Sequence, residues 1–231
     1  GDKLGNGPQG LVPPPFSIKF PEESTHLLTI ICRDALGNTA EDREIFVVDK
    51  TPPVTNKSYK GTHFINEETG EEWINNNTQI WLSAFDPEPH PSGVNQTWYR
   101  NTLVDERFCQ NQEICQSAEG NGLWELWNGA PKYKNQESCH LIEFYSVDNV
   151  NKTEKVNKQC AYVDLTAPLP NKTVGEPKTI WNGNDSTFYK DETKHCWDET
   201  GNEIECWKVT TLTPIILDCS DPQPHPVNHE T

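Results

Sequence analysis

No apolar run in the 231-residue chain approaches the roughly 20 residues that a membrane-spanning helix needs, and mean hydropathy is −0.77. Basic residues are scarce as well: 19 lysines and arginines face 35 acidic side chains, a formal charge of −16. That balance repels a phosphate backbone, so nucleic acid loses its main source of affinity and is not expected as a partner. An anionic membrane surface is disfavoured for the same reason. Catalytic signatures are missing too. There is no Gly-x-Ser-x-Gly, no His-Glu-x-x-His and no glycine-rich phosphate loop, and no enzyme is expected. Residues 1–10 have neither a basic start nor an apolar stretch, so Gly1 is expected to be a processed or truncated end. Only 33% of the residues are hydrophobic, yet eight cysteines, eight tryptophans and 10% aromatics supply cores and staples for a folded chain. At about 150 residues per domain, the length suits two small domains.

The cysteines are even in number and include no CxxC pair, which argues against zinc and for disulfides in an oxidising, extracellular compartment. Cys109 with Cys115, and Cys196 with Cys206, read as hairpin staples. Asn-x-Ser/Thr acceptors at Asn56, Asn76, Asn95, Asn151, Asn171 and Asn184 predict N-linked glycans on the loops of a secreted, cell-surface protein.

The sequence repeats itself. His26-Leu-Leu-Thr-Ile-Ile-Cys32-Arg-Asp34-Ala-Leu-Gly-Asn38, ending in Val48-Asp-Lys-Thr51-Pro-Pro53, returns as His140-Leu-Ile-Glu-Phe-Tyr-Ser146-Val-Asp148-Asn-Val-Asn151, ending in Val163-Asp-Leu-Thr166-Ala-Pro168. The offset is 114 to 115 residues, and Gly5-Asn-Gly7 matches Gly120-Asn-Gly122 upstream. Ile80-Trp-Leu-Ser-Ala84-Phe-Asp86-Pro-Glu-Pro-His90-Pro returns as Ile215-Ile-Leu-Asp-Cys219-Ser-Asp221-Pro-Gln-Pro-His225-Pro at an offset of 135. The second copy thus holds about twenty additional residues, where the Cys196–Cys206 hairpin lies. Order then sets the organisation: residues 1–54 are the back half of one domain, 55–168 a complete one, and 169–231 the front half of another. The joints Thr51-Pro-Pro and Thr166-Ala-Pro are short and proline-stiffened, which predicts a rod.

Strands are expected at 27–32, 44–48, 79–84, 141–146, 160–163 and 215–219, where apolar, β-branched and aromatic residues alternate or run between turn signals. Asp34–Asn38 and Asp148–Asn151 read as tight turns. The fold class is therefore all-β, built of β-sandwiches.

The Asp34–Asn38 turn, its flanking strands and the Val48–Pro53 ending resemble the tandem immunoglobulin-like repeats of bacterial and archaeal extracellular surface proteins. Asp86–Pro91 and Asp221–Pro226, followed in the first copy by Ser92-Gly-Val and a strand containing Tyr99-Arg, are similar to repeats of archaeal cell-surface proteins in particular. The resemblance spans nearly the whole chain and implies immunoglobulin-like sandwiches of filament, stalk or adhesin type, with one domain split between the two chain ends. On that reading 1–54 is the C-terminal half of an immunoglobulin-like domain, 55–168 a complete one, and 169–231 an N-terminal half completed by a neighbouring chain or by missing sequence. Two departures stand out: the inserted hairpin, and a Val227-Asn-His-Glu-Thr ending that stops before the strand the first copy continues. Superposed, the repeats set Ser146 on Cys32 and Ala84 on Cys219, the positions that the resemblance implies for the inter-sheet bridge. Cys139 and Cys160 are then free to bridge locally, and Cys32 is expected to pair with Cys219 across a domain assembled from two halves.

The expected function is that of a structural subunit of a surface filament or stalk, whose partners are copies of itself joined head to tail. The alternative is a cell-surface adhesin or carbohydrate-binding module, a segment of a longer repeat protein, with surface glycans as partner. Trp124 and Trp127, near Asn121 and Tyr133, are its candidate sugar platform, weighed against aromatic core. No cofactor or metal is expected. His90 and His225, with Asp86 and Glu88, read as stiff turns before metal ligands; Asp34 and Asp148 as turn caps before calcium ligands. The acidic run 66–72 reads as a solvated hairpin turn.

Overall fold

The structure, a computed structural model, describes residues 17–180, 196–197, 200–204 and 206–222. Asn184, His225, the Gly5–Gly7 match and the 227–231 ending lie outside the described residues. By its internal contacts the chain divides into residues 1–165 and 166–231. Among the described residues regular structure is strand, apart from a 3-10 turn at Glu106–Phe108 and one helical turn, α1 (Gln112–Cys115).

The first unit opens with an antiparallel hairpin, β1 (Thr25–Arg33) and β2 (Thr39–Val47). Asp34 sets its turn. Its Oδ1 accepts the amides of Leu36 and Asn38 while Gly37 takes φ of +91°, a left-handed conformation that glycine adopts without strain. Next come β3 (Val54–Lys60), β4 (His63–Ile65), β5 (Glu72–Ile74), β6 (Gln79–Phe85), β7 (Val94–Val104), β8 (Glu125–Leu126), β9 (Ser138–Asp148) and β10 (Asn157–Val163). They form two sheets: the antiparallel pair β3–β6, and a six-stranded sheet in the order β4-β5-β10-β9-β7-β8 in which only β5–β10 is parallel.

The central strand β9 is covered on both faces, which its period of two makes visible. Ile142 and Phe144 point toward Ile80 and Leu82 of β6 in a core shared with Ile74, Tyr99, Ala161 and Val163. Cys139 and Leu141 point the other way, into a second core with Cys160 and Tyr162 beneath the 105–118 segment. Two sheets packed face to face make the first unit sandwich-like.

The disulfides differ from the local staples expected. Cys109 bonds Cys139 and Cys115 bonds Cys160, so neither Cys109–Cys115 nor Cys139–Cys160 forms. The reason is the helical turn between Cys109 and Cys115, which lies on β10 instead of folding back as a hairpin. Gln112 docks it there, its side-chain amide donating to the Cys160 carbonyl and its Oε1 accepting the Cys160 amide. Across the strands, meanwhile, Cys160 stands opposite Leu141 and Cys139 opposite Tyr162. Each strand cysteine therefore meets one from the segment above it.

In the second unit β11 (Leu169–Val174) pairs with β16 (Ile215–Ser220). Between them lie β12 (Lys178–Ile180), paired with β15 (Trp207–Val209), and the hairpin β13 (Cys196–Trp197) with β14 (Glu203–Ile204). The inserted hairpin is thus present, and Cys206 is disulfide-bonded. The six expected strands all fall on strands, 44–48 overrunning β2 by one residue.

The repeat survives as geometry. Asp148 Oδ1 accepts the amides of Val150 and Lys152, and Asn151 takes φ of +64°, reproducing the backbone bonds of the Asp34, Leu36, Gly37 and Asn38 turn; Asp34 Oδ2 in addition accepts the Asn38 side-chain amide. β11–β16 likewise repeats β3–β6: Thr55 faces Ala84 across one pair, Pro170 faces Cys219 across the other.

Candidate functional site

Two features stand apart from ordinary sandwich packing. The first is a mismatch in burial between equivalent positions. Ile80 and Leu82 are 0% and 7% exposed; their counterparts Ile215 and Leu217 on β16 are 55% and 76% exposed. Phe144, on the face of β9 turned to β6, is 2% exposed, whereas its counterpart Ile30, on the Cys32 face of β1, is 37% exposed. Cys32 and Cys219 sit on these bare elements as exposed free thiols. At the matching place in the complete sandwich Ser146 lies buried, its hydroxyl sharing hydrogen bonds of 2.6 Å with Thr55 and 2.7 Å with Thr97. Glu154 ties the same point together, accepting the Thr55 and Ser146 amides. Ser146 thus faces the Thr55–Ala84 pair across the sheets.

The second feature is a carboxylate cluster at one end of the sandwich. Asp49 follows β2, Asp86 follows β6 and Asp148 ends β9, and one oxygen from each lies within 4.8 Å of the others. Asp49 and Asp148 are buried. Asp49 accepts the amides of Thr51 and Ser92; Asp86 Oδ2 accepts the Gly93 amide at 2.7 Å and the Ser92 hydroxyl at 3.4 Å. Burial pushes the Asp49 carboxyl up, and the bonds from Ser92 and Thr51 outweigh it, leaving its pKa below the ordinary value. Among the described residues, Asp148 Oδ2 and Asp86 Oδ1 are buried without a hydrogen-bond partner, and no lysine or arginine pairs with any of the three.

Neither feature has a precedent to borrow from. No protein-family model, curated protein or solved structure matches this chain.

The remaining candidates are placed as follows. The turn-capping role read for Asp34 and Asp148 is present in both, and Asp148 joins the carboxylate cluster besides. His90 and Glu88 do not join Asp86 in that cluster. Trp124 stacks on the Arg100 guanidinium at 4.4 Å and meets Tyr145 edge-on at 4.8 Å; Trp127 packs against the core near Tyr99. Both rings are thus engaged within the sandwich, and Tyr133 is exposed. The 66–71 run is the β4–β5 turn, capped by Asn66, but Glu72 leaves solvent to bond Lys57 and the Tyr59 hydroxyl across the sheets. Burial lowers the Lys57 pKa, with the Glu72 charge opposing, and burial with Glu72 raises that of Tyr59. The acceptors Asn56, Asn76, Asn95, Asn151 and Asn171 are all exposed, as a glycan requires.

Sequence reasoning named Asp86 and Asp148 apart and passed over Asp49. The signal for the set was its recurrence: Asp49, Asp86 and Asp148 return as Asp164, Asp221 and Asp34.

Proposed function

We propose that this chain is a structural unit of an extracellular filament or stalk, in which immunoglobulin-like half-domains of successive copies complete one another head to tail. One observation carries the reading: residues buried in the complete sandwich are bare at the equivalent positions of β1–β2 and β11–β16. Each half is the missing cover of the other. Burying a side chain such as Ile215 or Leu217 contributes about 1.5–3 kcal/mol, so several together offset the loss of rotational and translational freedom on association. A β11–β16 pair from one copy, laid over the β1–β2 hairpin of the next, brings Cys219 against Cys32 as Thr55 and Ala84 lie against Ser146. Such a contact is heterologous and does not close, so it propagates. The two disulfides of the complete sandwich and the exposed glycan acceptors suit an oxidising, extracellular setting.

Non-reducing peptide mapping of native material tests it. A Cys32–Cys219 linked peptide, with a gel ladder that collapses to one band on reduction, is the expected result. A Cys219 bridge to a peptide outside these 231 residues overturns self-assembly and makes the chain a segment of a longer array of the same sandwiches.

A further inference from the structure

We infer that Asp49, Asp86 and Asp148 form a binding site for a hard divalent cation, with calcium as the ligand. Three carboxylates gathered within 4.8 Å, two of them on buried residues, repel one another unless protons or a cation intervene. The described residues provide no lysine or arginine partner to any of them. Their hydrogen bonds are also distributed unevenly. Asp148 spends Oδ1 on the Val150 and Lys152 amides at 2.9 and 2.7 Å, and its Oδ2, on a residue 0% exposed, has no hydrogen-bond partner. Asp86 spends Oδ2 on Ser92 and Gly93 and likewise leaves Oδ1 unpartnered. Backbone amides therefore hold one oxygen of each of these two carboxylates, and the other oxygen of each is buried without a hydrogen-bond partner. An all-oxygen set without cysteine or histidine selects against zinc and copper and for calcium or magnesium. Calcium fits better, because it tolerates an irregular set of carboxylates drawn from separate loops, whereas magnesium demands near-ideal octahedral geometry.

The location gives the ion a mechanical role. Asp49 belongs to the Val48–Pro53 linker between the β1–β2 hairpin and the sandwich, Asp86 to the β6–β7 loop and Asp148 to the end of β9, where it caps the turn that follows. A bound ion clips the linker to two loops of the sandwich and stiffens the joint. The recurrence of the three residues as Asp164, Asp221 and Asp34 extends the inference: a second site forms where two halves meet. That extension alone rests on the assembly proposed above.

The test is calcium titration of the full chain by isothermal calorimetry, with thermal unfolding in calcium and in EDTA. The dispersed chain, reduced only enough to keep Cys32 and Cys219 free, is expected to bind one calcium with Kd of about 10⁻⁴–10⁻³ M, the range of extracellular modules, and to melt higher with calcium than with EDTA. Asp148→Asn and Asp86→Asn are expected to weaken binding at least about 100-fold, the upper end of what losing a supporting partner does. Unchanged heats and melting in the unsubstituted chain overturn the site without recourse to any variant. Undiminished binding in both folded variants overturns the assignment of its ligands. Disulfide-linked material is expected to bind two ions per chain; one per chain there removes the second site and leaves the first standing.

Discussion

Burial presses the Lys134 ammonium to shed its proton, pushing its pKa down to about 8 from an ordinary 10.5, with Glu125 opposing and Lys132 assisting. The ammonium donates to the Tyr99 hydroxyl inside the fold. An unfolded chain holds that proton until pH 10.5 and the folded chain releases it near 8, so in between the unfolded state binds more protons and stability rises with pH. Tyr162, pushed by burial up to about 12, works in the opposite sense only above its ordinary value of 10. Melting temperatures from pH 8 to 10 are therefore expected to climb in the natural sequence and to flatten in Lys134→Met. A slope shared by both proteins would assign the rise elsewhere. Glu143 is a second buried charge, bound in two places by Arg100 at 2.6 and 3.0 Å. Gly120 lies against it, so close that a Cβ there would land on the Glu143 carboxylate.

Among the elements, each strand was legible wherever alternation or a continuous apolar run met a turn signal, and β9 with its buried faces is the plainest case. The Asp34 and Asp148 turns were legible for a local reason, a side chain bonding its own backbone two and four residues on. Helix α1 was not, because four residues show no period, and with it went the disulfide partners, which depend on where Gln112 docks on β10. The carboxylate cluster was hidden differently. Its members stand 37 and 62 residues apart, and only the return of all three in the repeat links them. Equivalence of the elements is itself testable. Ser146→Cys with Ala84→Cys places in the complete sandwich the pair carried by Cys32 and Cys219, and the new disulfide is expected to form on oxidation and stabilise by about 2–4 kcal/mol. Thiol titration reads the result, and two additional free thiols would show that the repeats do not share a register.

For the molecule as a whole, apolar surface is left bare on two separate elements, a liability in any sheet protein. Among the described residues no helix is long and apolar enough to cross a membrane. Exposed Leu217 and Ile215 should drive association that the complete sandwich does not need for its own folding. Leu217→Ser is expected to leave the main melting transition within about 0.5 kcal/mol of the natural sequence, as surface substitutions do, while lowering the mass measured by light scattering. Association unchanged by Leu217→Ser, Ile215→Ser and Ile30→Ser together would locate the adhesive surface elsewhere.

The turn of the β1–β2 hairpin closes on its own hydrogen bonds, as its twin at β9–β10 does beneath a full set of neighbours. Its form is thus settled before any neighbour arrives, as a key is cut before it meets the lock. Under the proposed assembly, joining would involve no refolding of this turn, and its pace would be governed by encounter and alignment. In the proposed assembly separation has an equally simple handle: one Cys32–Cys219 disulfide at each seam, exposed where the two sandwich disulfides are buried, which a mild reductant is expected to cleave first.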